Sequence, residues 1–251
     1  MILITRPVSE AKEFSIALKR NNFLNISDSI LSFNFKRKKI SLSNDKIFIV
    51  TSSQSVKALQ KNKAIYRQLI DEGIFIAVGK KVSLNLKGIG VKKIKLVSRD
   101  TEHLLRKLVS KGSKYKKLKY EYLCGSKIND DFVSQCKNKK ILIRKKVLYE
   151  PIPSKKLSKK TIQNIKNGSI KVITFFSIYT AKVFFKLAKK EDILHDLYYN
   201  NVIIMCLSRR IALSVGKMAK IIEKSSIKWS TLPDQESMIK SLKSVKNPTN
   251  S

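Results

Sequence analysis

Ile47–Phe48–Ile49–Val50–Thr51–Ser52–Ser53–Gln54–Ser55–Val56–Lys57 decides how this chain folds. Four apolar, mostly β-branched residues run straight into hydroxyl residues, and apolar positions at helical spacing follow through Val56, Leu59 and Ala64. That order predicts a buried strand, a sharp turn and an amphipathic helix. The same grammar returns in Val172–Ile173–Thr174–Phe175–Phe176–Ser177–Ile178–Tyr179–Thr180–Ala181–Lys182. Two more pairs follow in the same order. Ala77–Val78–Gly79–Lys80–Lys81–Val82 matches Cys206–Leu207–Ser208–Arg209–Arg210–Ile211, and Arg99–Asp100–Thr101–Glu102–His103–Leu104 matches Pro233–Asp234–Gln235–Glu236–Ser237–Met238. Ordered matches at nearly constant separation predict an internal duplication with a long period, hence two similar domains. Strands alternating with helices make both of them α/β, with parallel sheets flanked by helices.

The two halves are not tandem. Tyr122–Leu123–Cys124–Gly125–Ser126 is a strand and turn with no counterpart after Met238, where the chain reads as a polar tail. The missing unit stands at the other end of the sequence, Ile2–Leu3–Ile4–Thr5–Arg6. Residues 1–33 are therefore expected to pack with 152–251 as a discontinuous domain, and 36–149 to form an inserted one. The linkers, about 31–36 and 147–153, read as extended segments that pair as a two-stranded ribbon, punctuated by Pro151 and Pro153.

Composition narrows the classes. At 251 residues with 43% hydrophobic content the chain can bury a real core, and no apolar run approaches the ~20 residues of a membrane span. The first residues carry no basic region before their apolar stretch, which argues against a signal peptide. Three cysteines without C-x-x-C spacing argue against a disulfide framework or a zinc site and for a reducing cytoplasm, and two histidines are few for a metal centre. The net charge of +35 suggests a nucleic-acid binder, but it comes from 44 lysines against nine arginines, scattered along the chain. Specific readers of nucleic acid lean on Arg. Lys, Ile and Asn are also the residues of adenine/thymine-rich codons, so the charge is readable as composition alone.

In open parallel sheets, ligands bind beyond the carboxyl ends of the strands. Here those ends are Thr5–Arg6, Thr51–Ser52, Gly79, Gly125–Ser126, Ser177 and Ser208–Arg209, each just before a helix. Backbone N–H groups and the positive helix ends then face one region. Two such domains facing each other make a cleft suited to a ligand rich in carboxylates. Any single Ser or Thr there is equally an ordinary helix cap; the recurrence is what marks the group. Walker A, G-x-G-x-x-G, G-x-S-x-G and H-E-x-x-H motifs are all absent. Asp130–Asp131 reads as a helix start, and His103 and His195 as surface residues.

Leu3–Ile4–Thr5–Arg6–Pro7, Phe48–Ile49–Val50–Thr51–Ser52–Ser53, Ala77–Val78–Gly79, Leu148–Tyr149–Glu150–Pro151–Ile152–Pro153 and Ile173–Thr174–Phe175–Phe176–Ser177, in that order, resemble the uroporphyrinogen-III synthase family. The resemblance implies two α/β domains joined by a two-stranded ladder, an active site between them, and no cofactor or metal. It implies a lyase reaction of haem biosynthesis. The linear tetrapyrrole hydroxymethylbilane loses water and closes with inversion of its last ring, through an azafulvene and a spiro intermediate. The substrate bears eight carboxylates, and without catalysis it closes to the uninverted type I isomer. The enzyme's task is then largely orientation.

By the same resemblance, Tyr149 assists departure of the hydroxyl, and Thr5, Arg6, Thr51, Ser52, Gly79, Gly125, Ser126, Ser177, Ser208 and Arg209 bind substrate. It also implies a cytoplasmic monomer that takes its substrate from the preceding enzyme of the pathway, without nucleic acid or membrane. The chain departs from the family at Leu207–Ser208–Arg209–Arg210, where a glycine and a hydroxyl are replaced, and at Cys124–Gly125, where Arg–Gly is usual. Two other classes fit the residues: a basic nucleic-acid-binding module, and a bilobed anion-binding protein without catalysis.

Overall fold

The computed structural model describes residues 1–110, 118–127 and 131–246. The chain divides into two compact units, Met1–Ser32 with Ile152–Ser251, and Phe33–Pro151. Each is an α/β layer structure, and each is best understood from its sheet.

The interrupted unit holds five strands: β1 (Ile2–Ile4), β2 (Asn25–Ser27), and, after the insertion, β9 (Val172–Phe175), β10 (Ile203–Cys206) and β11 (Ile227–Trp229). Their order is β11-β10-β9-β1-β2, with every neighbouring pair parallel. The sheet is covered on both faces, which is why its strands read as unbroken apolar runs. Leu3, Ile173, Phe175 and Ile204 face one helical layer containing Phe184 and Ala212. Ile2, Ile4 and Met205 face the other, with Phe14, Leu18, Met238 and Leu242. Side chains alternate between faces because the strand period is two. Each fully buried Ile, Leu or Phe contributes roughly 1.5–3 kcal/mol.

The contiguous unit holds β3 (Leu31–Phe35, entering from the first unit), β4 (Lys46–Val50), β5 (Ile74–Val78), β6 (Lys93–Ser98), β7 (Lys119–Gly125) and β8 (Ile143–Pro153). Its order is β3-β8-β7-β4-β5-β6. The pairings from β8 through β6 are all parallel. Phe48 and Val50 face one core, Ile47 and Ile49 the other. The crossing strands β3 and β8 are neighbours, as expected of paired linkers, and through β8 they extend this sheet.

The two sheet orders are the same order cut at different points. If β9, β10 and β11 are matched to β4, β5 and β6, then β1 stands beside β9 where β7 stands beside β4, and β2 takes the place of β8. The cap chemistry repeats too. Asp100 Oδ1 accepts from the His103 N–H at 2.7 Å, and Asp234 Oδ1 accepts from the Ser237 N–H at 2.7 Å.

Several elements differ from the sequence reading. Residues 239–246 are no polar tail: the helix Gln235–Lys246 runs on, with Met238, Ile239 and Leu242 buried at helical spacing, and 247–251 lie outside the described residues. The helix opened by Val56 is two helices, Ser53–Lys61 and Lys63–Glu72, broken at Asn62. β2, β6 and β11 are short or lysine-rich edge strands that carry little apolar signal. Asp131 opens the helix Asp131–Asn138, and Asp130 lies outside the described residues. His103 is half-buried, its Nδ1 2.9 Å from the Ser98 hydroxyl, and not simply solvated.

Candidate active site

A doubly wound sheet has a switch point, where the chain leaves one side of its first strand and returns to the other. In the contiguous unit this lies between β4 and β7. β4 ends at Val50, and Ser52, in extended conformation, caps the helix Ser53–Lys61 by accepting from the Gln54 N–H at 3.1 Å. Thr51 Oγ1 lies 2.8 Å from the Tyr122 hydroxyl of β7. Ser55, one turn on, donates to the Leu123 carbonyl at 2.8 Å and ties the helix start to β7.

The β7–β8 ladder slips at this level. Cys124 pairs with Val147 but Gly125 with Tyr149, leaving Leu148 as an extra residue. A bulge of this kind re-aims the side chains that follow it. Its signature is that Leu148 and Tyr149, adjacent on one strand, both enter the same core. Tyr149 is only 9% exposed. Phe33 packs on it edge to face at 5.4 Å between centroids. Its ring lies over Gly125 so closely that a Cβ there would stand 2.6 Å from Tyr149 Cε2. The Tyr149 hydroxyl donates to Ser52 Oγ at 3.1 Å, across 97 residues of sequence. Ser126 is exposed, and its N–H donates to the Tyr149 carbonyl at 3.0 Å. Gly79, after β5, adopts φ +93°, which favours glycine; a Cβ there would meet open space. Thr51, Ser52, Gly125, Ser126 and Tyr149 are thus brought together where β4 and β7 end beside the middle of β8, with Gly79 at the end of the next strand.

In the interrupted unit the switch point lies between β1 and β9. Thr5 is fully buried there, and its hydroxyl donates to the Thr174 carbonyl at 2.8 Å, stitching β1 to β9. Arg6 is clamped. Its guanidinium lies 3.9 Å above the Phe176 ring, 3.3 Å from Glu10 Oε2 and 3.4 Å from Gln235 Oε1. Burial pushes the Arg6 pKa down, with Glu10 working against that shift. Arg6 Nε is buried, with no hydrogen-bond partner among the described residues. Ser177 caps the helix Ile178–Lys190, accepting from the Thr180 N–H at 3.0 Å with the Thr180 hydroxyl 2.7 Å away. Ser208 precedes the helix Arg209–Met218 without a side-chain capping bond, and Arg209 is exposed.

Sequence reasoning missed Tyr122, Glu10, Gln235 and Phe176. Only Glu10 carried a local signal, its helical spacing four residues from Arg6. Among the described residues, no helix is long and apolar enough to cross a membrane, and no three His, Cys, Asp or Glu are grouped to hold a metal. Cys124, Cys136 and Cys206 are buried and in no disulfide, and burial raises the Cys136 and Cys206 thiols to about 12.

A family model described as uroporphyrinogen-III synthase HemD matches residues 27–220, most of the chain. The chain belongs to the uroporphyrinogen-III synthase family. Its activity is that of this family: a lyase of tetrapyrrole biosynthesis that cyclises hydroxymethylbilane to uroporphyrinogen III. Solved structures agree on the fold. Uroporphyrinogen-III synthetase from Helicobacter pylori is similar with a TM-score of 0.65 at 16% identity, over 97% of this chain and 98% of that one. A mutant uroporphyrinogen III synthase from Thermus thermophilus is similar with a TM-score of 0.58 at 12% identity, over 98% of both chains. No curated protein sequence matches.

Proposed function

We propose that the ends of β4 and β7, with Tyr149 of β8 beside them, form the part of the active site where the terminal hydroxyl of hydroxymethylbilane departs. The observation that carries this reading is the bond from the Tyr149 phenol to the Ser52 hydroxyl at the switch point of the contiguous unit. A phenol and a serine in line, beside the positive end of the helix Ser53–Lys61, stabilise an oxygen that gains negative charge as its C–O bond breaks. Thr51, Gly79 and Ser126 bind substrate carboxylates at the neighbouring strand ends. Gly125 contributes by admitting the Tyr149 ring. Ser177, Ser208 and Arg209 bind further carboxylates through helix N–H groups and the Arg209 charge. Arg6 adds its positive charge at the end of β1, and Thr5 supports Arg6 from the core.

The rest of the task is geometric. The bound chain must be held so that the last pyrrole attacks through its substituted carbon, giving the spiro intermediate and then the inverted ring. Positioning of this kind needs no strong nucleophile. The reading extends to a cytoplasmic monomer that receives its labile substrate from the preceding enzyme. Three buried cysteines outside any disulfide support a reducing compartment.

Feeding hydroxymethylbilane to the protein and separating porphyrin isomers after oxidation tests the proposal. Type III porphyrin is the expected product, with its fraction falling toward type I in variants of Ser52 and Tyr149. Unchanged isomer ratios in all those variants would remove these residues from the site.

A further inference from the structure

The Ser52 hydroxyl is arranged so that it can bond to a ligand in only one sense. A serine hydroxyl has one proton to give and two lone pairs to receive with. Both lone pairs are engaged, by the Gln54 N–H at 3.1 Å and by the Tyr149 phenol at 3.1 Å. The Ser52 proton goes to no acceptor among the described residues. The two hydroxyls also differ in access. Tyr149 is 9% exposed, enclosed by Gly125 and Phe33, while Ser52 is half-buried at the β4 end.

We infer that Ser52 is the residue that donates to the departing hydroxyl, and that Tyr149 acts through it as a positioning and proton-supplying residue. The inference rests on the reading of this strand-end cluster as the site of hydroxyl departure, and it reverses the order of importance expected from sequence. A phenol donating to Ser52 Oγ polarises the Ser52 O–H, so the second hydrogen bond of the chain is stronger than either would be alone.

The step balances as a relay. The C–O bond of the hydroxymethyl group breaks, and its electron pair leaves with the oxygen. That oxygen takes the Ser52 proton and departs as water. Ser52 takes the Tyr149 proton, leaving a phenolate, and the pyrrole nitrogen lone pair stabilises the resulting azafulvenium. When the ring closes, the carbon that formed the new bond loses its proton, which restores the phenol. Aliphatic alcohols are weaker acids than phenols, whose unperturbed pKa is ~10, so serine presents the proton and tyrosine replaces it.

The test is steady-state kinetics of type III formation for Ser52→Ala, Ser52→Thr, Ser52→Asp, Tyr149→Phe and the double variant Ser52→Ala/Tyr149→Phe, each with its melting temperature. Ser52→Ala is expected to lower kcat ~100-fold and Tyr149→Phe ~10-fold, with KM changed less than about threefold in both. Ser52→Thr restores the hydroxyl and should recover kcat to within about threefold of the starting protein. Ser52→Asp keeps the helix cap and accepts from Tyr149 but has no proton to give at neutral pH, so it should be as slow as Ser52→Ala even if the latter folds poorly. Adding Tyr149→Phe to Ser52→Ala should change kcat less than about twofold, because the phenol has lost the group it acts through.

A Tyr149→Phe loss greater than that of Ser52→Ala, multiplying effects in the double variant, or an active Ser52→Asp overturns the inference. Failure of the underlying site reading looks different: Ser52→Ala and Tyr149→Phe would both form type III isomer at the starting rate.

Discussion

The two switch points are built from one pattern and use it differently. In the interrupted unit the strand-end groups are largely committed: Thr5 bonds the Thr174 carbonyl, Ser177 engages Thr180, and Arg6 is pinned between Phe176, Glu10 and Gln235. In the contiguous unit Ser52 is a cap as well, but Tyr149 stands behind it, and the Ser52 proton meets no acceptor among the described residues. The difference traces to one strand. β2, three residues long, occupies the position that the eleven-residue β8 fills in the other sheet, and only β8 carries a bulge and a tyrosine to the switch point. A duplicated framework thus keeps its caps in both copies, and the added chemistry enters through the permuted strand.

The largest contrast to test is autonomy. The fragment 33–151 should unfold cooperatively by itself, because it keeps part or all of each of the six strands of its sheet, β3 and β8 losing two residues each. The fragment 152–251 should not, because β1, which separates β9 from β2, is missing from it. Denaturant titration of both fragments checks this, and a cooperative transition in 152–251 breaks the comparison at its root.

Gly125→Ala comes next. The new Cβ would stand 2.6 Å from the Tyr149 ring, so the ring must move. Overpacking of this sort costs about 1–3 kcal/mol. The displaced phenol should lower type III formation at least as far as Tyr149→Phe does. Full activity in Gly125→Ala would show that the ring position is unimportant.

Arg6→Ala removes a guanidinium stacked on Phe176 and paired with Glu10, both within the interrupted unit. Loss of the cation–π contact alone is worth about 0.5–2 kcal/mol, so thermal unfolding should move down by a few degrees. If stability is unchanged and only KM rises, Arg6 is committed to substrate and the contrast between the switch points narrows.

Ser177→Ala should cost about the ~1 kcal/mol of a lost helix cap, with kcat nearly unchanged, whereas Ser52→Ala loses a comparable cap and most of its kcat. Similar kcat losses in the two variants would erase the asymmetry. The smallest effect is a null one. With thiols raised to about 12 by burial, Cys136 and Cys206 should resist alkylation at neutral pH in the folded protein and react once it is unfolded, as mass spectrometry would record.

Much of the fold was legible because burial on both faces forces recognisable strings. Ile47–Val50 and Val172–Phe175 could be little else than central strands. The edge strands were not legible, since β6 exposes Lys93 and Lys95 and β2 has three residues. The helix Gln235–Lys246 went unread because its buried positions Met238, Ile239 and Leu242 are diluted by lysines and serines on its open face. At the site, Ser52 and Tyr149 were recognisable one by one, but nothing local tells that a residue at 149 touches one at 52. Thr5 looked like a binding hydroxyl, and only the core around it turned that hydroxyl toward Thr174.

By itself the sequence determined the α/β class, the duplication, its permuted order and the polar strand ends, since all of these follow from periodicity and local cap chemistry acting within a few residues. Only the tertiary structure decided which strand-end groups are already bonded and which proton remains to be given. That depends on the one-residue slip between β7 and β8, on the missing Cβ at Gly125, and on a 3.1 Å bond between residues 97 positions apart. Hydrogen-bond saturation is a property of atoms in space, and no spacing along the chain encodes it.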